Sequence, residues 1–279
     1  MSAALPAPRI ALNDGHRIPQ LGFGVFQVSP DEAERIVGEA LDAGYRHIDT
    51  AMIYGNEEGV GRAIASRDIP RDELFITTKL FRGDHGHNNA LRALPASLER
   101  LGLDYVDLYL IHWPAPARNA YVDSWRAFEQ MRNEGLARSI GVCNFLPEHL
   151  ARLQSDAETL PAVNQIELHP LFAQRDLRAY QEPLGIVTES WAPLGQGKYV
   201  LDELPGIAEI ARRHGKSAAQ VILGWHLQQG LVVFPKTVRR ERMIENADVF
   251  DFVLDDAEMA QLARLDSGTR IGAHPRERN

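Results

Sequence analysis

The sequence predicts an α/β fold closed into a (β/α)8 TIM barrel, with an N-terminal β-hairpin at the barrel bottom, and three observations predict it. Short apolar runs alternate with amphipathic stretches along the chain, a pattern that implies βαβ units with right-handed crossovers. Eight such runs occur, at 22–26, 45–49, 74–79, 106–112, 139–143, 162–167, 186–191 and 231–235. They are rich in β-branched and aromatic residues without strict alternation, as befits parallel strands buried on both faces. Finally, 279 residues suit one barrel of roughly 250 residues. Eight strands favour a closed barrel over a doubly wound sheet, so a single barrel domain is expected over 1–279.

The elements carry their own punctuation. Runs 9–12 and 17–19 flank Asn13-Asp14-Gly15, an Asp-Gly turn that reads as the hairpin. Ser29-Pro30-Asp31-Glu32 reads as a capping box with proline at the first helical position, and Ala43-Gly44 supplies the stop. The stretch 88–100, with Leu91, Leu94, Leu98 and the adjoining Leu101, has helical spacing before Gly102. Over 124–133, Trp125, Phe128 and Met131 share a face before Gly135; over 217–228, Val221, Leu223, Trp225 and Leu227 precede Gly230. No linker or low-complexity tract interrupts the pattern.

Composition narrows the function classes. Hydrophobic residues make up 44% and charged residues 24%, ample for one large core. No segment reaches the ~18 uninterrupted apolar residues of a membrane span, and the first residues, MSAALPAPRI, do not read as a secretory signal. The single cysteine, Cys143, rules out an internal disulfide and suits a reducing compartment. A soluble, cytoplasmic protein without membrane partners is expected. A net charge of −8 argues against nucleic-acid binding. One segment departs from that balance: PKTVRRER, 235–242, concentrates Lys236, Arg239, Arg240 and Arg242. Such a run is usually a solvated helix face, but in an acidic protein it also suits a small anion.

In a barrel the C-terminal strand ends converge on one cavity. Polar residues fall there with regularity: Asp49, Lys79 and His112 end strands two to four, Asn144 follows the fifth, Gln165 lies near the end of the sixth, and Lys236 follows the eighth, while Trp191 ends the seventh. Each alone reads as a turn or solvent contact; together they predict a ring of polar groups over a packed core. Asp49, Tyr54, Lys79 and His112 form the sharpest cluster. A buried ammonium is costly unless paired, so Lys79 needs Asp49. A phenol beside a lysine cation is expected to have its pKa lowered from about 10, so that Tyr54 gives a proton to a developing alkoxide. His112 would donate a second hydrogen bond to the carbonyl oxygen. The set suits carbonyl reduction but lacks a hydride source, which a cofactor must supply.

No dinucleotide fingerprint is present: GFGVFQ, 22–27, lacks the third glycine and reads as a packed strand turn, and Gly195-Gln196-Gly197-Lys198 is no phosphate loop. The basic segment, however, follows the eighth strand, where barrels commonly bind phosphate. There Lys236, Thr237 and Arg242 would grip an adenosine 2′-phosphate and select NADPH over NADH, with Trp191 stacking on the nicotinamide.

These segments resemble the aldo-keto reductase family. The matching ones are GYRHIDTAMIYGNEEGVG (44–61), LFITTKL (74–80), LDYVDLYLIHWP (103–114), IGVCNF (140–145), AVNQIELHP (162–170), ESWAPLGQGK (189–198) and VVFPKTVRRERMIEN (232–246). They run through almost the whole chain, which is most similar to the bacterial 2,5-diketo-D-gluconate reductases. The resemblance implies a tetrad of Asp49, Tyr54, Lys79 and His112, with Tyr54 giving the proton while hydride leaves nicotinamide C4. It implies carboxamide contacts from Asn144 and Gln165 with Ser190 nearby, and stacking by Trp191. Leu194, Gly195 and Gln196 would cover the pyrophosphate, while Lys236, Thr237, Val238, Arg242, Glu245 and Asn246 would hold the 2′-phosphate and adenine. Phe26 and Trp113 would wall the substrate pocket. His112 favours carbonyl reduction, since relatives that reduce carbon–carbon double bonds carry Glu there. A monomer is implied.

Departures from the family pattern are Cys143 in place of a serine, Thr237 in place of a serine, and the loop 81–87 in place of a tryptophan-containing one. His85 and His87 read as a solvated loop without a metal, and His47 and His169 as structural. The tail 270–279 would close over the substrate. Walls of Phe26 and Trp113 with few fixed charges suit small carbonyls such as 2,5-diketo-D-gluconate, methylglyoxal or ketoesters. Two rivals stand beside this reading: a Schiff-base lyase using Lys79, and a non-catalytic NADPH-binding regulatory subunit.

Overall fold

A computed structural model describes residues 4–279. Strands β1 (Arg9–Ala11) and β2 (Arg17–Pro19) pair antiparallel, with Ala11 opposite Arg17. The Leu12 amide donates to the His16 carbonyl at 2.9 Å. Leu12 and Ile18 are buried against Phe75, Ala162 and Val163, residues at the entry ends of barrel strands, so the hairpin closes the bottom of the barrel.

Eight parallel strands follow: β3 (Phe23–Gly24), β4 (His47–Asp49), β5 (Phe75–Leu80), β6 (Val106–Ile111), β7 (Ala137–Cys143), β8 (Val163–Glu167), β9 (Val187–Trp191) and β10 (Val232–Val233), each bonded to its sequence neighbour. The seam is closed by the Gly22 amide donating to the Val233 carbonyl at 2.8 Å and the Val233 amide donating to the Gln20 carbonyl at 3.0 Å. The two seam strands are shorter than the runs 22–26 and 231–235 suggest. Pro235 has no N–H to extend the ladder. The backbones also crowd there: a Cβ on Gly24 would stand 3.1 Å from the Phe234 carbonyl oxygen.

Helices α1 (Pro30–Asp42), α2 (Glu57–Ala65), α3 (His87–Leu101), α4 (Tyr121–Asn133), α5 (Pro147–Asp156), α6 (Arg175–Gln181), α7 (Ile207–His214), α8 (Ala218–Gln228), α9 (Arg240–Ala247) and α10 (Asp256–Ala263) run around or beyond the sheet. Their apolar stripes bury Ile36, Val37 and Leu41 of α1 and Trp125, Phe128 and Met131 of α4. Each such side chain contributes about 1.5–3 kcal/mol. The expected capping box at Ser29 does not form, because its hydroxyl donates to the Glu32 carboxylate at 3.2 Å and caps no backbone amide. Reciprocal boxes form instead between Ser217 and Gln220 and between Asp255 and Glu258. Helix α4 begins earlier than 124, since Tyr121 is buried with its ring edge-on to Phe145 at 5.2 Å. Among the described residues no helix is long and apolar enough to cross a membrane.

Candidate active site

Strands β4 and β5 bring two charges together at their exit ends. Lys79 is completely buried, and its Nζ donates to Asp49 Oδ1 at 2.6 Å and to the Thr50 carbonyl at 2.8 Å. The expected pairing is thus present. Desolvation pulls the ammonium's pKa down, but attraction to Asp49, through charge and hydrogen bond, outweighs it and holds Lys79 above its ordinary value. It is a permanent cation.

Tyr54 ends a single 3-10 turn, Met52–Tyr54, closed by Gly55 in the left-handed region at φ 69°. Its ring centroid lies 5.2 Å from Lys79 Nζ, 5.1 Å from the Phe26 ring and 5.7 Å from the His112 ring, which meets it edge-on. The expected lowering of its pKa is corrected here. Desolvation raises the phenol above its ordinary value, and the opposing pull of Lys79 is the smaller effect. Tyr54 therefore holds its proton in the resting site. His112 is pushed well below its ordinary value, first by burial and then by the cations Lys79, Arg278 and Arg82. It is a neutral imidazole.

The amides behind the tetrad are all engaged. Gln165 Nε2 donates to Asp49 Oδ2 at 2.9 Å and to Glu189 Oε2 at 3.0 Å. Asn144 sits at φ 64°, a conformation asparagine tolerates. Its Nδ2 donates to the His112 carbonyl at 3.1 Å and approaches Cys143 Sγ at 3.1 Å, while its Oδ1 accepts from Trp191 Nε1 at 2.9 Å. One asparagine thus ties the histidine strand to the indole.

A cavity of about 1210 Å³ runs along the barrel mouth. Its wall includes Phe26, Asp49, Tyr54, His112 and Trp113, together with Asn144, Gln165 and Trp191. Leu194, Gln196, Lys236, Thr237, Arg242, Glu245 and Asn246 line the same cavity. Four expected site residues lie off the wall. Lys79 is beneath it; Ser190 is fully buried, its hydroxyl without a hydrogen-bond partner among the described residues. Gly195 is covered by the Tyr199 ring, which a Cβ there would meet at 2.3 Å. Val238 faces solvent. The basic run divides: Lys236 and Arg242 reach the cavity, Arg239 and Arg240 do not, and none of the four makes a salt bridge among the described residues.

Several residues on this wall carried no recognised sequence signal. Arg82, from the loop after β5, and Arg278, from the tail and over the Trp113 ring, line the cavity and make no salt bridge among the described residues. The mouth is therefore more cationic than the sequence reading of few fixed charges allowed. Lys216 also lines the cavity but is held by Asp248 and Asp251, each at 2.7 Å. The tail is clamped by buried Glu167, which accepts from the Ile271 amide at 2.6 Å and the Gly272 amide at 3.0 Å. Gly272 lies so close to Trp191 that a Cβ would stand 2.4 Å from the indole. Glu189 had a legible signal, a carboxyl inside an apolar strand run. His85 is also corrected: it is buried, not solvated, both ring nitrogens lack partners among the described residues, and burial pushes it down to about 4. His47 lies buried between the Pro19 carbonyl and Thr77 Oγ1, 3.3 Å from each, a structural position.

Residues 20–267 match the Aldo/keto reductase family. The chain is 52% identical over 273 residues to an aldo-keto reductase of Mycolicibacterium smegmatis, covering 98% of each chain. It is 49% identical over 266 residues to the methylglyoxal reductase DkgA of Escherichia coli K12, covering 95% of this chain and 96% of that one. Among solved structures, a Gox0644 mutant in complex with NADPH superposes with a TM-score of 0.92 at 45% identity, over 96% of this chain and 97% of that one.

Proposed function

The chain belongs to the aldo/keto reductase family, and from that premise we propose that Tyr54, backed by the Lys79–Asp49 pair, protonates the oxygen of a small carbonyl substrate as hydride reaches its carbon. The protein is an NADP-dependent oxidoreductase that reduces aldehydes or ketones to alcohols. Its residues fit that cofactor: one cavity of about 1210 Å³ is lined both by the cations Lys236 and Arg242, which make no salt bridge among the described residues, and by Asp49, Tyr54 and His112. When bound, NADPH supplies the hydride from nicotinamide C4.

The chain's own groups do the rest. Trp191, fixed through Asn144 and backed by Gly272, offers an indole face for the nicotinamide ring. Gln165 commits both N–H bonds to Asp49 and Glu189, and its Oε1, which accepts from the Cys143 thiol at 3.7 Å, has a second lone pair for the carboxamide. Neutral His112 donates to the carbonyl oxygen and cannot steal the proton meant for it. Tyr54 keeps its proton until negative charge develops on that oxygen beside the Lys79 cation, and then transfers it. A phenol with a raised pKa is a poor acid in the resting site; the alkoxide is more basic still, so the transfer runs downhill.

The observation that carries this reading is the Tyr54 phenol set against a fully buried, paired ammonium at the mouth of a nucleotide-sized cavity. The Schiff-base reading of Lys79 is opposed by the same fact, since a nucleophilic lysine must shed the proton that Asp49 and the Thr50 carbonyl hold in place. Among small carbonyls such as 2,5-diketo-D-gluconate, methylglyoxal or ketoesters, the unpaired Arg82 and Arg278 at the mouth favour those bearing a carboxylate. The test is NADPH oxidation followed at saturating cofactor over that panel and aromatic aldehydes. Turnover is expected, faster for the carboxylated members; an enzyme that oxidises NADPH with none of them overturns the proposal.

A further inference from the structure

Glu189 lies on β9 behind Gln165, fully buried and off the cavity wall. A buried carboxyl ordinarily finds a cation or several donors. This one finds a single donor, Gln165 Nε2 at 3.0 Å, and its Oε1 has no partner among the described residues. The same amide donates its other hydrogen to Asp49 at 2.9 Å. One NH2 group therefore spans two carboxyl groups, and only Asp49 also touches the ammonium of Lys79. The groups that face Glu189 electrostatically are Asp49 from β4, Lys79 from β5 and Cys143 from β7. Its ladder partners are Gln165 on β8 and Val232 on β10, neither charged.

We propose that Glu189 is a positioning residue of the reductase site: held on the amide that also donates to Asp49, it locks Gln165 and so fixes the Asp49–Lys79 pair against which Tyr54 works. This role rests on the reductase reading given above. Two carboxyls sharing one amide cannot both be ionised cheaply. Asp49 has the ammonium, so the proton resides on Glu189. Burial, and then repulsion from Asp49, push Glu189 up to about 8. Above that pH a second negative charge appears one amide away from Asp49. It raises the proton affinity of Tyr54, and the phenol surrenders its proton less readily. Lys79, Tyr54 and Cys143 are each pushed above their ordinary ranges and His112 below its own, so Glu189 is the group of this cluster that carries an alkaline limb.

The experiment compares pH profiles of kcat, at saturating NADPH and carbonyl, for wild type and Glu189→Gln, with Glu189→Met as an apolar second variant if the first folds poorly. Wild-type kcat is expected to fall about tenfold between pH 7 and pH 9, and the Gln variant by less than about twofold, with the KM for NADPH unmoved by the pH step. An alkaline limb of the same size in Glu189→Gln overturns the proposal, as does a Glu189→Met variant that keeps the wild-type kcat at pH 7 although it has lost the acceptor for Gln165. Infrared titration of the wild type should lose a protonated-carboxyl band with a midpoint near pH 8 that both variants lack; its absence from the wild type overturns the proposal independently of turnover. A wild type that reduces no carbonyl at any pH sinks the reductase reading and this role with it, a result distinct from an unchanged limb.

Discussion

Lys79, beneath the cavity, and Arg242, on its wall, are both cations, yet their surroundings are opposite. Lys79 is wholly removed from solvent and has two acceptors within 2.8 Å. Arg242 is exposed on the first turn of α9, with no carboxylate partner among the described residues. A buried charge must be satisfied by the protein itself, because leaving it unpaired costs several kcal/mol. An exposed charge can wait for a ligand, since water satisfies it in the meantime. The tetrad is therefore built to hold protons in place, and the basic segment to receive an anion.

The largest expected effect probes the tetrad. Tyr54→Phe should lower kcat by about a thousandfold or more while NADPH binding, followed by fluorescence quenching, is kept; near-normal turnover would break the contrast by showing that the proton comes from elsewhere. Next, Lys79→Met strips Asp49 of its cation. It should cost about 3–5 kcal/mol in urea unfolding, whereas Arg242→Ala should shift stability by less than about 0.5 kcal/mol. Equal losses would mean that the two cations are not differently supported. The same Arg242→Ala change is expected to raise the KM for NADPH roughly tenfold, the worth of one charge-assisted contact, with little change for NADH. If both cofactors suffer alike, the 2′-phosphate lies elsewhere. The smallest effect belongs to the substrate mouth: Arg82→Ala combined with Arg278→Ala should lower kcat/KM for 4-carboxybenzaldehyde about five- to tenfold and leave benzaldehyde unaltered, a preference lost only if the two arginines face the bound carbonyl compound.

Much of the scaffold could be read from the chain because its signals are local. The strand runs, the Asp-Gly hairpin turn and the leucine spacing of α3 depend on neighbours a few residues away. The pairing of Lys79 with Asp49 was accessible for a different reason: adjacent parallel strands with polar exit residues leave a buried ammonium little choice of partner. Where local signals misled, a competing contact had won. Ser29 bonds the Glu32 side chain rather than an amide, and β3 and β10 are cut short by the crowding and the proline at the seam.

Tyr54 marks the boundary most clearly. That a lysine cation would stand near it followed from the order of strands, and Coulomb attraction alone argued for a more acidic phenol. The sign of the result depends on depth, and burial outweighs the cation. Glu189, His85, Arg82 and Arg278 belong to the same class.

Taken by itself, the amino-acid order determined which strands and helices form, which polar residues stand at the strand exits, and which basic segment follows the last strand, because periodicity and strand ends are properties of neighbouring residues. The tertiary structure alone decided which protons are held, which cations stay unpaired and where the tail lies. Desolvation and charge pairing depend on what surrounds a group in space, and residues more than a hundred positions apart, such as Asp49 with Gln165 and Glu167 with Ile271, supply those surroundings.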